Sequence, residues 1–306
     1  MSDFQAELKN KVKEIEEIID KFLPEETGYQ KIVIKAMNYS ILAGGKRLRP
    51  MLMQETYKLF GGKGKEIEPF MAAIEMIHTY SLVHDDLPAM DNDEYRRGRK
   101  TTHVVYGEAF GILAGDGLLN YAFETALKAF PGEQDEPDTM NVGKMYGISK
   151  AMQVLAKKAG IYGMIGGQTA DIESEEMDTI DTERLLFIHE NKTAALIQSS
   201  MMIGAILAGA SEREVDRIEK CAYNIGIAFQ IQDDILDVIG TMEELGKPIG
   251  SDEKNNKQTY VTLNGLETSK KHVKELSEEA IGIIDSFGGD NVFLKELVHS
   301  LINRSK

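Results

Sequence analysis

Phe70-Met71-Ala72-Ala73-Ile74-Glu75-Met76-Ile77-His78-Thr79-Tyr80-Ser81-Leu82-Val83, followed by His84-Asp85-Asp86-Leu87-Pro88-Ala89-Met90-Asp91, decides how this chain is read. The first part is apolar at helical spacing with no alternating β pattern, so the sequence predicts a buried helix. Its end carries three carboxylates within seven residues. Such groups repel one another unless a cation sits among them, and hard divalent ions such as magnesium take a few carboxylates together with water and phosphate oxygens. A helix advances roughly 100° per residue, which puts His78, Ser81 and Asp85 on one face. His78 is then either a satisfied core histidine or a group aimed at the same ligand as Asp85. Asp91 would fall on another side of a straight helix. Pro88 disfavours helical backbone at Leu87, so the chain is expected to turn there and carry Asp91 back toward Asp85.

The same signature fills the rest of the chain. Ile15, Ile18, Ile19 and Phe22 form one stripe, Ile32, Ile34, Met37 and Ile41 another, and the runs 117–130, 142–166, 182–210, 214–238 and 269–287 continue the pattern. Only seven prolines interrupt 306 residues, and Val104-Val105-Tyr106 is too short to found a sheet. The expected fold is all-α, in a single domain over residues 1–306, with loops at Gly61 to Lys65 and Pro131 to Thr139. The most apolar run, Ala194 to Ala210, contains Gln198, Ser199 and Ser200. It falls short of the roughly 20 apolar residues a membrane helix needs and reads as a core helix, so no stable membrane insertion is expected.

Apolar residues make up 42% and charged residues 28%, which is ordinary for a globular chain and too apolar for disorder. With 50 acidic residues against 35 basic ones and a formal charge of −15, general affinity for nucleic acid or an anionic membrane is not expected. Any phosphate-binding surface has to be local. Cys221 stands alone, which excludes an internal disulfide and fits a reducing, cytoplasmic setting. A packed thiol and a reactive one are its two readings. Met1 to Glu17 is rich in Lys and Glu and lacks the apolar core of an export signal.

Two basic knots could supply the local phosphate surface. Gly44-Gly45-Lys46-Arg47-Leu48-Arg49-Pro50 gathers three cations beside glycines that let backbone approach a ligand, and Arg96-Arg97-Gly98-Arg99-Lys100 follows the first Asp cluster. Guanidinium forks match phosphate oxygens, so the knots point to polyphosphate groups, against the plainer reading of solvated turns. A second Asp cluster stands in Phe229-Gln230-Ile231-Gln232-Asp233-Asp234-Ile235-Leu236-Asp237. There Gln230, Asp233 and Asp237 share one helical face, with Asp234 beside them, in apolar surroundings where an unpaired polar stripe would be costly. Two such clusters imply one shared metal site. Lys192-Thr193 interrupts another apolar run. Gly246-Lys247-Pro248 is not a P-loop, because the glycine spacing is wrong and Pro248 replaces the hydroxyl residue.

Residues 44–50, 85–91 with Arg96-Arg97, Gly166-Gly167-Gln168 with Asp171, Lys192-Thr193 and 229–237 together resemble the short-chain trans-polyprenyl diphosphate synthases. The motifs occur in the family's order, and within the family the chain looks most like the bacterial farnesyl diphosphate synthases. The resemblance implies one bundle of long helices around a deep central cavity, usually in a homodimer. It implies about three Mg²⁺ held on an allylic diphosphate by Asp85, Asp86 and Asp91 on one side and Asp233, Asp234 and Asp237 on the other. By the same resemblance Arg96, Lys192, Lys247 and Lys257 bind that diphosphate. Lys46, Arg49, His78 and Arg97 bind isopentenyl diphosphate, and Gln168 and Asp171 support the metals from behind. The implied reaction joins isopentenyl diphosphate head-to-tail to dimethylallyl and then geranyl diphosphate by ionisation, condensation and proton loss. Stabilising the departing diphosphate is its main work. In the family the Thr193 carbonyl and the Gln230 amide lie near the allylic cation.

Product length is implied by Tyr80, five residues before Asp85, with Ser81 beside it, and by the Pro88-Ala89 pair that lengthens the first Asp motif. In the farnesyl synthases an aromatic residue there closes the cavity floor at fifteen carbons. A helical wheel turns Tyr80 well round from Asp85, so its place beneath the tail comes from the resemblance alone. Three rivals stand beside this reading: a geranylgeranyl synthase of the same family, a class I terpene cyclase, which needs no second diphosphate site, and a non-catalytic prenyl synthase subunit, in which Asp clusters are commonly damaged.

Overall fold

The computed structural model describes residues 2–131, 142–239, 258–289 and 291–302, and these are helical almost throughout. The sheet among them is one antiparallel pair of two-residue strands. The chain groups into two compact units, Met1–Gln54 with Gly64–Met152, and Glu55–Lys63 with Gln153–Lys306.

In chain order the first unit holds α1 (Ser2–Asp20), α2 (Lys31–Ile41), the start of α3 (Leu48–Leu59), α4 (Glu68–Asp85), β1 (Tyr95–Arg96), β2 (Arg99–Lys100), α5 (Thr102–Tyr106), α6 (Glu108–Leu127) and the start of α7 (Val142–Ala159). Its centre is α4, which packs against α1, α2 and, most extensively, α6. Pro69 sits in the first turn of α4, where its missing N–H leaves no bond unmade, and every residue from Pro69 to Ile77 is buried. A helix apolar on all sides has to lie inside, as this one does. In α1, Ile15, Ile18 and Ile19 are buried as predicted. The stripe predicted for α2 holds only in its second half: Met37 and Ile41 are buried, Ile34 is half-buried and Ile32 is exposed. The reason is that α2 meets α6 through Met37, whose sulfur fills the space a side chain at Gly117 would need.

The second unit holds the ends of α3 and α7, then α8 (Met164–Glu175), α9 (Thr182–Ile188), a π-helical segment (His189–Ala194), α10 (Ala195–Leu207), α11 (Glu212–Ile239), α12 (Tyr260–Asn264), α13 (Leu266–Asp285) and α14 (Val292–Ile302). Here α11 is central, packing against α10, the π segment and α13. Every residue of α10 from Ala195 to Ala205 is buried, so the most apolar run of the sequence is a core helix. No described helix is long and apolar enough to cross a membrane.

Several predicted runs are corrected. The run 142–166 is two helices, because α7 stops at Ala159 and Gly163 adopts a backbone where a Cβ would lie 2.1 Å from the Lys158 carbonyl oxygen. The run 182–210 is helical but changes to π geometry in its middle. Val104-Val105-Tyr106, too short to found a sheet, forms none and lies in α5, as expected. The loop at 61–65 is present, whereas the one predicted at 131–139 lies, beyond Pro131, outside the described residues.

Candidate active site

The first Asp cluster is built by the way α4 ends. The Asp86 amide still donates to the Leu82 carbonyl at 3.1 Å, and the Leu87 amide to His84 at 3.1 Å. Pro88 has no amide to continue the ladder, and the chain turns: Met90 and Asn92 both donate to the Leu87 carbonyl, at 2.9 and 3.1 Å. Asp91 donates to the Asp85 carbonyl at 2.9 Å, which is the return predicted from Pro88. Asp85 is half-buried and Asp91 exposed.

Asp86 takes a different partner. It is buried, and its Oδ1 accepts from Arg96 Nε at 2.7 Å while lying 2.7 Å from Nη2. Burial raises its pKa and the Arg96 charge opposes that rise. Arg96 reaches this position because 95–100 is a β-hairpin, with Arg96 opposite Arg99 and a turn at Arg97 (φ 52°) and Gly98 (φ 76°). Two successive positive φ values define the tight turn whose twist matches paired strands.

The hairpin brings the two basic knots together. Arg97 Nη1 donates to the Gly44 carbonyl, Arg99 Nη1 to Leu42 at 3.1 Å, and the Tyr39 hydroxyl to Lys100 at 2.7 Å. A Cβ on Gly45 would lie 2.6 Å from Arg97 Nη1, so a glycine there is what lets the guanidinium in. Of the knot's three cations, Arg47 turns into the core, donating to Glu75 Oε1 and to the Ile41 carbonyl, both at 2.8 Å. Glu75 is the buried counter-ion that sequence reasoning missed. A lone carboxylate inside the apolar run 70–77 was the signal, since it had to find a cation.

Arg49 is left with its Nε enclosed and without a hydrogen bond, and burial lowers its pKa to about 10, helped by Arg97 and opposed by Glu75. His78 is held well below the usual histidine value, first by burial and then by Arg49, Arg97, Arg96 and Arg47, so its imidazole is neutral. Lys46 is exposed on the same loop. A cationic group of this kind, with an unsatisfied guanidinium nitrogen, suits an anion with several oxygens.

Tyr80 is buried one turn before His84, ring edge to ring face at 5.8 Å between centroids. Burial first, and then the Asp85 charge, push its pKa up to about 12. Ser81 donates its hydroxyl to the His78 carbonyl at 2.9 Å.

In the second unit the π segment carries Lys192 and Thr193. It is gripped by glycines: a Cβ on Gly167 of α8 would lie 2.0 Å from the Lys192 amide nitrogen, and one on Gly226 of α11 would lie 2.2 Å from the Ala194 Cβ. Lys192 Nζ donates to Asp171 Oδ2 at 2.5 Å, bringing two predicted residues together, and Gln168 is half-buried on the same helix. π turns inside α-helices are frequent at functional sites. Along α11 Gln230 is half-buried, Asp233 exposed and Asp237 buried, while Asp234 Oδ2 accepts from the Tyr260 amide at 2.6 Å and caps α12. Lys247 and Lys257 lie outside the described residues.

Among the described residues, no three His, Cys, Asp or Glu side chains converge as a ready-made metal cage. Magnesium needs none, because it takes one or two carboxylates and completes its shell with water and substrate phosphates. The turn brings the backbone of Asp91 back to that of Asp85, the two residues of this cluster not buried against Arg96.

Residues 30–292 match the polyprenyl synthetase family. A geranylgeranyl diphosphate synthase of Cyanophora paradoxa is 42% identical over 294 residues, covering 95% of this chain and 93% of that protein. A farnesyl diphosphate synthase of Geobacillus stearothermophilus is 41% identical over 287 residues, 93% of each. The geranyltransferase of Helicobacter pylori, solved in complex with magnesium and isoprenyl diphosphate, has the same fold with a TM-score of 0.79 at 31% identity, over 99% of this chain and 97% of its own. The match runs through both units and through every motif from Lys46 to Asp237, and the chain therefore belongs to the polyprenyl synthetase family.

Proposed function

We propose that this prenyltransferase is a farnesyl diphosphate synthase, which condenses isopentenyl diphosphate with dimethylallyl and then geranyl diphosphate and stops at fifteen carbons. The observation that carries the fifteen-carbon reading is Tyr80, a buried aromatic ring on α4 five residues before the first Asp cluster. The two units act together as one catalytic domain in this reading.

Asp85 and Asp91 from one cluster, and Asp233, Asp234 and Asp237 from the other, would hold about three magnesium ions, which when bound would supply positive charge to neutralise the departing diphosphate. Asp86 orients Arg96, which with Lys192, Lys247 and Lys257 binds the allylic diphosphate. Lys192 is itself steadied by Asp171, with Gln168 as further support. Lys46, Arg49 and Arg97 bind the diphosphate of isopentenyl diphosphate, and neutral His78 donates an N–H to it. The Thr193 carbonyl and the Gln230 amide face the allylic cation with dipoles that stabilise it without forming a bond. The proton lost after condensation goes to a released diphosphate oxygen.

A homodimer is part of the proposal. Val104 and Val105 of α5 and Ile112, Leu113 and Leu127 of α6 are exposed apolar residues of the first unit, and apolar surface suits a protein contact. A cytoplasmic setting fits the lone, buried Cys221.

Incubation with isopentenyl and dimethylallyl diphosphates plus Mg²⁺, followed by product chromatography, tests the reading. Fifteen-carbon product is expected. The Cyanophora relative favours the second reading, a geranylgeranyl synthase, and mainly twenty-carbon product would establish that one instead. No consumption of isopentenyl diphosphate would return the terpene cyclase or the non-catalytic subunit.

A further inference from the structure

We propose that His84, seated in a slot opened by Gly115, is a positioning residue for product length: its imidazole backs the Tyr80 ring and fixes where the floor of the chain cavity lies. The inference rests on the reading of Tyr80 given above.

A floor residue has to be held in place against the tail pressing on it. Among the described residues no group bonds the Tyr80 hydroxyl, so the phenol is not tethered by its polar end. What meets the ring is His84, one helical turn further on the same face, at 5.8 Å between centroids with the planes 82° apart. This is the edge-to-face arrangement that aromatic pairs prefer.

His84 is itself fixed from α6. Its Nε2 lies 3.1 Å from the Ile112 carbonyl, a distance at which a protonated Nε2 donates, and 3.8 Å from Asp116 Oδ1. The ring fits only because position 115 has no side chain: a Cβ there would stand 2.0 Å from Nε2 and 2.2 Å from Cδ2. A glycine inside a helix is unfavourable relative to alanine, and the imidazole accounts for its presence in α6. The chain of contact therefore runs from α6 through His84 to Tyr80.

Product length separates this role from a merely structural one. The full chain is assayed with isopentenyl and geranyl diphosphates and Mg²⁺ as wild type, His84→Ala, His84→Phe and Tyr80→Ala. His84→Ala is expected to raise the ratio of twenty- to fifteen-carbon product several-fold, because the phenol can swing into the vacated slot. His84→Phe, which refills the slot with a ring, is expected to restore fifteen-carbon product. Should His84→Ala fail to fold, Gly115→Ala takes its place, since its Cβ expels the ring and the product ratio should again depart from wild type. A His84→Ala or Gly115→Ala protein with lowered turnover but the wild-type product ratio, beside a Tyr80→Ala that lengthens the product, overturns the inference alone. Unchanged product from Tyr80→Ala overturns the floor reading and the inference with it.

Discussion

The Asp91 amide donates to the Asp85 carbonyl at 2.9 Å, and this one bond returns to Asp85 a residue that helical geometry would turn away from it. The three carboxylates are differently placed. Asp85 and Asp91 are joined through backbone with Asp91 in solvent, whereas Asp86 is buried against Arg96.

Asp91→Asn is therefore expected to raise the Mg²⁺ concentration for half-maximal rate by about 10-fold or more, while Asp86→Asn chiefly raises the KM for the allylic diphosphate. Rates measured across a Mg²⁺ titration at fixed substrate check this. Equal Mg²⁺ shifts in both variants would place Asp86 among the ligands.

His78 predicts a pH dependence of stability. Its folded pKa is depressed below the ordinary value of about 6.5, so on acidification the unfolded chain takes up a proton that the folded chain refuses. This contribution is fully present above about pH 6.5 and is lost as pH falls through the window below it, with a slope of up to about 1.4 kcal/mol per pH unit. Urea unfolding at pH 7 and pH 5.5 should show a smaller difference in His78→Gln than in wild type.

Gly167→Ala should be destabilising and damaging to catalysis together. Its Cβ would press on the Lys192 backbone, and overpacking of this kind costs about 1–3 kcal/mol. Thermal melting should record the loss, and turnover at a temperature where the variant is folded should fall as Lys192 is displaced from Asp171.

Leu113→Glu, half exposed on α6, places a charge in the proposed dimer surface. Sedimentation should then show a monomer with unchanged helical content. A variant that sediments as wild type would remove this face from the interface.

What could be read from residues alone was local. Proline at 88 acts on its immediate neighbour, and the apolar runs of α4 and α10 declare burial by composition, so the turn and both core helices were legible. The hairpin at 95–100 was not, because strands of two residues carry no alternation; only Arg97-Gly98, a pair able to take positive φ, hinted at it. The Arg47–Glu75 pair joins residues 28 apart, and nothing at Arg47 distinguishes it from Lys46 or Arg49 until the fold turns it inward. The break at Gly160 to Gly163 was hidden by apolar residues that continue the helical period on either side.

The π segment His189–Ala194 behaves as an insertion lodged in the middle of a helix. An i→i+5 turn takes in one residue more than an α turn, which sets α10 out of phase with α9 by about 100°. Deleting one residue there would give a regular α-helix and would rotate every later side chain of α10 away from its present neighbours. The faces of α9 and α10 meet their separate surroundings in register through that surplus residue.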